Sequence, residues 1–358
     1  MDSLVLNVIK IFAPAVGAFA LGILITPLVA HQLYKHKAWK KKAGKVDLSG
    51  KETTIFNELH KDKEVNTPRM GGIIIWASVA LTVLLLWLLG VLFPGTLFEK
   101  LNFLSRSQTW IPFGLLILGS VIGIMDDLLE IKVRSGFSKG LSLKVRLTAV
   151  GVLALFAGLW FSLKLDVVSI GIPFGEPLYI GALFVPLFVL VALFIYASGV
   201  IDGIDGLAGG VFAIIFGAYA GIAFFQNQID LAALSGAISG ATLAFLWFNI
   251  PPARFYMSET GTMGLTIALA TIAFMTDALG DGHGFLALGI IALPLIATVL
   301  SNIIQVLSKK IRKKKVFRVA PLHHHFEAIG WPSYKVTMRY WVATAILAVA
   351  GVAFALLG

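Results

Sequence analysis

Ten long apolar stretches constrain the fold of this chain more than any other feature of its sequence. A helix needs about 20 mostly apolar residues to cross the hydrocarbon core of a bilayer. The composition fits that requirement, because 58% of the 358 residues are hydrophobic and only 13% are charged, against about a quarter in a soluble domain. We therefore predict an all-α integral membrane protein that forms one polytopic domain over residues 1–358. The ten predicted membrane spans are roughly 4–30, 71–93, 111–125, 143–163, 178–197, 207–226, 231–250, 261–279, 284–307 and 338–357.

The basic residues predict how these spans are oriented. Of the 29 Lys and Arg residues, 25 lie in loops that follow odd-numbered spans. Cytoplasmic loops of membrane proteins carry an excess of Lys and Arg, so we expect these loops in the cytoplasm and both termini outside it. The same bias explains the net charge of +10 and gives no reason to expect a nucleic-acid partner.

Two adjacent carboxylates, Asp126 and Asp127, follow the third span. Ionisable groups at the edge of a membrane helix are expensive to bury and are functional candidates. Adjacent acids also repel one another unless a cation or a proton relieves the repulsion. Mg²⁺ prefers oxygen ligands and usually keeps several waters, so the pair predicts a divalent metal site at the membrane surface. A solvated acidic helix end is the alternative.

A second acidic motif, Asp202-Gly203-Ile204-Asp205-Gly206, lies between the fifth and sixth spans. Its two acids are three residues apart and would share one face of a helical turn. Its glycines would let the backbone approach a ligand closely. An ordinary Asp-Gly turn between two helices is the alternative.

The loop between the seventh and eighth spans carries three further candidates, Asn249, Tyr256 and Glu259. Pro251 and Pro252 end the preceding helix, because proline cannot continue it. Tyr256 either stacks on a base or anchors the loop at the membrane interface. Glu259 directly precedes a helix, where the helix dipole favours an acid, so it is either a functional carboxylate or a cap.

Three consecutive histidines, His323, His324 and His325, lie between a basic run and the last span. Histidine donates to phosphate, transfers protons or binds metals, whereas an interfacial polar loop is the alternative. These acids and histidines all fall in loops predicted to be cytoplasmic, which favours one site assembled from several loops. The chain has no cysteine and no Gly-rich phosphate loop of the GxxxxGK[ST] or GxGxxG kind. Thiol chemistry is therefore excluded, and ATP-driven transport is unsupported.

Together these motifs resemble the phospho-N-acetylmuramoyl-pentapeptide-transferase (translocase I) family, in the polyprenyl-phosphate N-acetylhexosamine-1-phosphate transferase superfamily. The resemblance covers nearly the whole chain, and the histidine motif separates this family from relatives that transfer other sugar phosphates. The matching segments are Thr67-Pro68-Arg69-Met70-Gly71-Gly72, Asp126-Asp127, Asp202 to Gly206, Phe248-Asn249 and Ala320 to Glu327.

The resemblance implies a ten-helix enzyme of the bacterial cytoplasmic (inner) membrane, usually a homodimer, with its active site on the cytoplasmic face. It would transfer phospho-MurNAc-pentapeptide from UDP-MurNAc-pentapeptide to undecaprenyl phosphate, giving lipid I and UMP in peptidoglycan synthesis, with Mg²⁺ as cofactor. Asp126 would deprotonate or orient the lipid phosphate. By the same resemblance, the catalytic residues are Asp126, Asp127, Lys144 and His324, the metal ligands are Glu259 and Asp127, and the substrate-binding residues are Asn249, Asp202, Asp205, Tyr256, His323 and His325.

Three segments depart from the family pattern. Ser258-Glu259-Thr260-Gly261-Thr262 replaces the usual Gly-Asp-x-Gly-Ser, Glu130 stands where a Lys usually follows the acidic pair, and Gly199-Val200-Ile201 replaces Asn-Leu-Thr. The longer Glu259 side chain would shift the metal or bind it through water.

Three alternatives stay open. A related transferase would use UDP-GlcNAc, which the histidine motif argues against. A cation- or proton-coupled transporter would be built from inverted repeats, and the sequence shows no repeat. A non-catalytic binding protein is kept open by the glutamate at position 259.

Overall fold

The computed structural model describes residues 3–40, 65–105, 107–132, 140–278 and 282–357, and most of them are helical. The helices are α1 (Ser3–Lys35), α2 (Ile73–Leu92), α3 (Leu97–Leu101), α4 (Trp110–Lys132), α5 (Leu143–Lys164), α6 (Phe184–Ala197), α7 (Leu207–Phe225), α8 (Ile229–Asn249), α9 (Ser258–Ala278), α10 (Gly284–Ile291), α11 (Leu293–Ile311), α12 (Leu322–Ala328) and α13 (Ser333–Leu357). A short antiparallel hairpin of β1 (Ser169–Ile170) and β2 (Leu178–Tyr179) joins α5 to α6.

Many of these helices can cross a membrane. Within the described ranges, eight helices are long and apolar enough to do so, and nine if α10 and α11, which bend by 68° at their junction, form one span. Each of the ten predicted stretches contains a helix. The prediction of an all-α, multi-pass membrane protein is therefore confirmed, whereas the number of spans and their orientation stay predictions.

Helix α9 lies inside the bundle. All of its residues from Thr260 to Asp277 are buried. It crosses α4 closely because small residues line the crossing, which is how membrane helices approach one another. A Cβ added to Gly123 would overlap the carbonyl oxygen of Glu259. One added to Gly119 would press against the backbone of the second turn of α9. The crossing holds the C-terminal part of α4 against the first turn of α9.

Two extended segments also meet at the N-terminal end of α9. The amide of Tyr256 donates to the carbonyl of Pro68 (2.8 Å). The amides of Gly71 and Gly72 donate to the carbonyls of Tyr256 (2.8 Å) and Met257 (3.2 Å). This pairing anchors the segment before α2 beside the start of α9, and it brings a basic side chain of that segment into the site.

Candidate active site

Asp127 ties α4 to the start of α9. Its side chain is buried, and its Oδ2 atom accepts hydrogen bonds from the Thr260 amide (3.0 Å) and the Thr260 hydroxyl (2.6 Å). Its Oδ1 atom lies 3.3 Å from Nη2 of Arg69. The unpaired amides and the dipole of a helix N-terminus both favour a carboxylate there. Protein groups therefore occupy both oxygens of Asp127.

Asp126 and Glu259 share the guanidinium of Arg146. Its Nη1 atom lies 2.6 Å from Oε1 of Glu259 and 3.6 Å from Oδ2 of Asp126. The other oxygen of Asp126 accepts a hydrogen bond from the Leu141 amide, and Oε2 of Glu259 lies 3.5 Å from the Tyr196 hydroxyl. The side chains of Arg146 and Glu259 are 26% and 22% exposed, so this ion pair is partly accessible.

Arg69 links the buried Asp127 to a second acid on α4. Its Nη2 atom lies 2.9 Å from Oε2 of Glu130, whose Oε1 atom lies 3.0 Å from Nζ of Lys40. Burial lowers the pKa of the Arg69 guanidinium, but three nearby carboxylates outweigh burial and hold that pKa above its ordinary value. They belong to Glu130, Asp127 and Asp202. Positive and negative groups thus alternate along this side of the site.

The two acids of the Asp-Gly motif bind the backbone that leads into α9. Oδ2 of Asp202 accepts a hydrogen bond from the Ser258 amide (2.7 Å), and Oδ2 of Asp205 accepts one from the Ala253 amide (3.3 Å). Asp202 therefore joins Asp127 at the N-terminal end of α9, whereas Asp205 fixes the preceding loop.

Both polar atoms of the Asn249 side-chain amide form hydrogen bonds within the protein. Its Oδ1 atom accepts a hydrogen bond from the Gly206 amide (3.0 Å), and its Nδ2 atom donates to the Phe255 carbonyl (2.8 Å). The residue is buried, and its two hydrogen bonds join the start of α7 to the loop before α9. The structure thus gives Asn249 a part in shaping that loop, and its predicted contact with substrate stays a prediction.

His323 and His324 face Gly203. A Cβ on Gly203 would lie 2.5 Å from Nε2 of His323 and 2.7 Å from Nε2 of His324, so a side chain at this position would displace the rings. Nδ1 of His324 pairs with Oε2 of Glu327 (2.7 Å), and Oε1 of Glu327 accepts a hydrogen bond from the Ser333 hydroxyl (2.6 Å). A histidine that is oriented through one ring nitrogen presents the other. In this site that other nitrogen, Nε2 of His324, faces the Asp-Gly motif.

His325 turns away from its two neighbours. Its Nδ1 atom accepts a hydrogen bond from the Arg318 amide (3.2 Å), and its ring packs edge-on against Phe317. The consecutive histidines of α12 therefore divide into a buried pair that meets the Asp-Gly motif and a third that orders the loop before that helix. The substrate contact predicted for His325 stays a prediction.

The acids offer a limited set of ligands for Mg²⁺, which is usually bound by one or two carboxylates with water and phosphate completing its shell. In the part of the chain that the structure describes, no three acidic or histidine side chains surround one point. Asp126 and Glu259 nevertheless converge on one nitrogen of Arg146. This pair fits an ion that keeps several waters. Asp127 is less available because both of its oxygens are occupied, and its part as a ligand stays a prediction.

The structure places two other predicted residues at the edge of the site. Lys144 is exposed and forms no ion pair with a residue that the structure describes, whereas Arg146, two positions later, reaches both acids. Tyr256 is half-buried in the segment that pairs with Pro68. The catalytic part of Lys144 and the stacking part of Tyr256 stay predictions.

Sequence reasoning passed over three side chains of the site, Arg69, Arg146 and Tyr196. Arg69 carried a usable signal, because it lies inside one of the matching motifs. A basic residue or a tyrosine at the end of a membrane helix is ordinary interfacial chemistry, so Arg146 and Tyr196 carried none.

Comparison with known proteins gives one consistent family. The model of a family described as glycosyl transferase family 4 matches residues 109–277. The match runs from the start of α4 to the last turn of α9. A phospho-N-acetylmuramoyl-pentapeptide-transferase from Anoxybacillus flavithermus is 34% identical over 296 residues, covering 81% of this chain and 84% of the relative. Proteins of the same name from Bacillus subtilis (32% identity, covering 81% and 84%) and Granulibacter bethesdensis (35% identity, covering 83% and 81%) are similar as well.

Proposed function

The chain belongs to the phospho-N-acetylmuramoyl-pentapeptide-transferase family, and we propose that it transfers phospho-MurNAc-pentapeptide from UDP-MurNAc-pentapeptide to undecaprenyl phosphate, forming lipid I and UMP. The observation that carries this function is the 34% identity across 84% of the length of a relative with that name. The site at the start of α9 supports it, because it gathers acids, guanidiniums and histidines at one end of a bundle of membrane helices.

The reaction moves a phosphorylated sugar between two phosphates. Overall, a bond forms between an oxygen of the lipid phosphate and the phosphorus that bears the sugar. The bond from that phosphorus to the bridging oxygen breaks, and UMP leaves with that oxygen. Phosphoryl transfer of this kind needs positioning and charge neutralisation more than covalent work by the protein.

The described side chains suit those demands. Arg146 and the pair of His323 and His324 can donate to phosphate oxygens, which stabilises charge that develops during transfer. Asp126 is the carboxylate that we assign to orient the lipid phosphate, as the family resemblance implies. Asp127 holds the first turn of α9 in place beside it.

We further propose Mg²⁺ as the cofactor, with Glu259 as its first ligand. When bound, the ion would act as a Lewis acid and neutralise charge on the diphosphate. Of the two adjacent aspartates, Asp126 is favoured as the second carboxylate, because it already shares a cation with Glu259. Asp127 would take part only if it gave up a contact with Thr260 or Arg69.

We propose the bacterial cytoplasmic membrane as the location, a homodimer as the assembly and the cytoplasmic face as the side of the site. The donor is a soluble, charged nucleotide, and the phosphate of the acceptor lies at the headgroup level of the bilayer. A site at one end of the membrane helices, on the side that the Lys and Arg bias of the sequence predicts to be cytoplasmic, is where the two substrates can meet.

The test uses the full chain, purified in detergent and supplied with UDP-MurNAc-pentapeptide and undecaprenyl phosphate. We expect release of UMP and a lipid-linked product with Mg²⁺, and neither with EDTA. UDP-GlcNAc in place of the donor should give little product. A folded protein that releases no UMP would contradict the proposal and favour a non-catalytic binding protein. A preference for UDP-GlcNAc would instead favour the related transferase, and ion-driven solute uptake into vesicles without UMP release would favour a transporter.

A further inference from the structure

Arg69 holds two acids of α4 with one nitrogen. Its Nη2 atom lies 3.3 Å from Oδ1 of Asp127 and 2.9 Å from Oε2 of Glu130. The two acids are three positions apart on α4 and therefore share a face of that helix. The side chain of Asp127 is fully buried, and those of Arg69 and Glu130 are only 19% and 15% exposed.

The position of Asp127 depends on this guanidinium. Thr260 donates two hydrogen bonds to its Oδ2 atom, but Thr260 carries no charge. Among the described residues, Arg69 is the cation in contact with Asp127. A buried carboxylate that loses its cation is strongly destabilised, so it would turn away from Thr260 towards other partners. That movement would disturb the first turn of α9, where Glu259 lies.

The segment that carries Arg69 is anchored by other bonds. The Arg69 amide donates to the Ala38 carbonyl (2.7 Å), and the Gly71 amide donates to the Tyr256 carbonyl (2.8 Å). The Met70 amide donates to the Ser258 hydroxyl (3.3 Å). None of these bonds uses the guanidinium, so the side chain can be replaced without removing the anchors of its own backbone.

We propose that Arg69 is the positioning residue for Asp127, an inference that rests on the proposed function. It supplies, from the segment before α2, the positive charge that fixes Asp127 on the first turn of α9. Glu130 contacts the same nitrogen of that guanidinium. Because one nitrogen of Arg69 contacts both acids, an ammonium placed at position 130 would reach the same space. The charge can therefore be moved from position 69 to position 130.

The experiment moves that charge. The variants are Arg69→Thr, Glu130→Lys and the double variant, each compared with the wild type in the UMP-release assay. Arg312→Thr is the matched control, because Arg312 is exposed at the end of α11. We expect Arg69→Thr to lower kcat by about 100-fold, the cost of a small misplacement of a reacting group, with the KM for the UDP-sugar unchanged. The double variant should recover at least tenfold of that loss, roughly 1.4 kcal/mol of activation free energy.

The other outcomes separate the inference from the proposed function. A wild-type chain without activity contradicts the function itself. With an active wild type, an Arg69→Thr variant as active as Arg312→Thr overturns the inference, and so does a raised KM at unchanged kcat, which would make Arg69 a substrate contact. A folded double variant no better than Arg69→Thr also overturns it. If Arg69→Thr fails to fold, Arg69→Gln decides, because it keeps a long polar side chain without the charge: a lower kcat at constant KM supports the inference, and an unchanged kcat overturns it.

Discussion

The buried helix α9 carries a carboxylate at each end, and the two ends differ in their partners. At the N-terminal end, Glu259 contacts the cation Arg146 and is 22% exposed. At the C-terminal end, Asp277 is 6% exposed and accepts hydrogen bonds from the amides of Gly171 (2.9 Å) and Phe285 (3.3 Å). In the part of the chain that the structure describes, Asp277 forms no ion pair.

The comparison distinguishes an acid that can exchange its partner for a ligand from an acid that links parts of the fold. Backbone amides cannot move to another partner without rearranging the fold, so Asp277 joins α9 to the hairpin before α6 and to the start of α10. A guanidinium at the end of a long side chain can exchange one anion for another. Glu259 and Asp126 share such a group. A cation can therefore replace the guanidinium beside the two acids, and an anion can bind the guanidinium in their place.

The largest effect should come from removing the charge of Glu259. We expect Glu259→Gln to lower kcat by about 10³-fold, the upper range for losing one charge-stabilising group in an active site. Glu259→Asp, which keeps the charge, should retain activity or raise it. UMP release measured across a series of Mg²⁺ concentrations checks both variants. An active Glu259→Gln enzyme with unchanged Mg²⁺ dependence would remove Glu259 as the metal ligand.

The next effect concerns the cation that Glu259 shares. Arg146→Gln leaves Glu259 and Asp126 facing one another without a common positive charge, so we expect kcat to fall by about 10²-fold, the lower range for losing one charge-stabilising group. Lys144→Gln is the matched comparison, because Lys144 lies two positions earlier on the same helix and is exposed. UMP release by the two variants is measured side by side. A larger loss in Lys144→Gln than in Arg146→Gln would support the catalytic part assigned to Lys144 and would contradict the role of Arg146 as the cation that the two acids need.

A pair of alanine substitutions compares the two ends through packing alone. A Cβ at Gly123 would overlap the backbone of Glu259, and a Cβ at Gly284 would overlap the side chain of Thr276 near the opposite end. Overpacking of this kind typically costs about 1–3 kcal/mol, so both variants should melt at a lower temperature. Only Gly123→Ala should also lower kcat, by about tenfold, because it moves the first turn of α9. Equal losses of kcat in the two variants would mean that the ends are not functionally distinct.

The helices could be predicted from the sequence because a membrane span is specified locally. Every backbone amide in a bilayer must be hydrogen-bonded within the protein, and an apolar run of about 20 residues meets that requirement by forming a helix. The bend of 68° between α10 and α11 had a visible signal in Pro294, since proline breaks a helix interior. The burial of α9 inside the bundle depends on packing between helices that are distant in the sequence, so it had no local signal.

The site divides in the same way. Its acids and histidines were recognisable, because such residue types are costly near a membrane. The pairing of each acid with its cation was not, because Arg69 is separated from Asp127 by 58 positions and Arg146 from Glu259 by 113. Those ion pairs exist only once the bundle has closed. Residue type therefore predicted where chemistry could occur, and the fold decided which oxygen stays available.

The smallest effect on catalysis should come from Asp277→Asn at the far end of α9. Asparagine keeps one oxygen acceptor but presents an NH₂ group to the second amide, so either the Gly171 or the Phe285 amide loses its partner. An unsatisfied buried donor costs about 1–3 kcal/mol, so the melting temperature should fall while kcat stays within about twofold, a change in activation free energy below roughly 0.5 kcal/mol. Glu176→Gln, at an exposed position in the turn between β1 and β2, should change neither quantity. A fall in kcat comparable to that of Glu259→Gln would show that the C-terminal end of α9 takes part in the reaction, because the lost hydrogen bond is itself remote from the acids and arginines of the site.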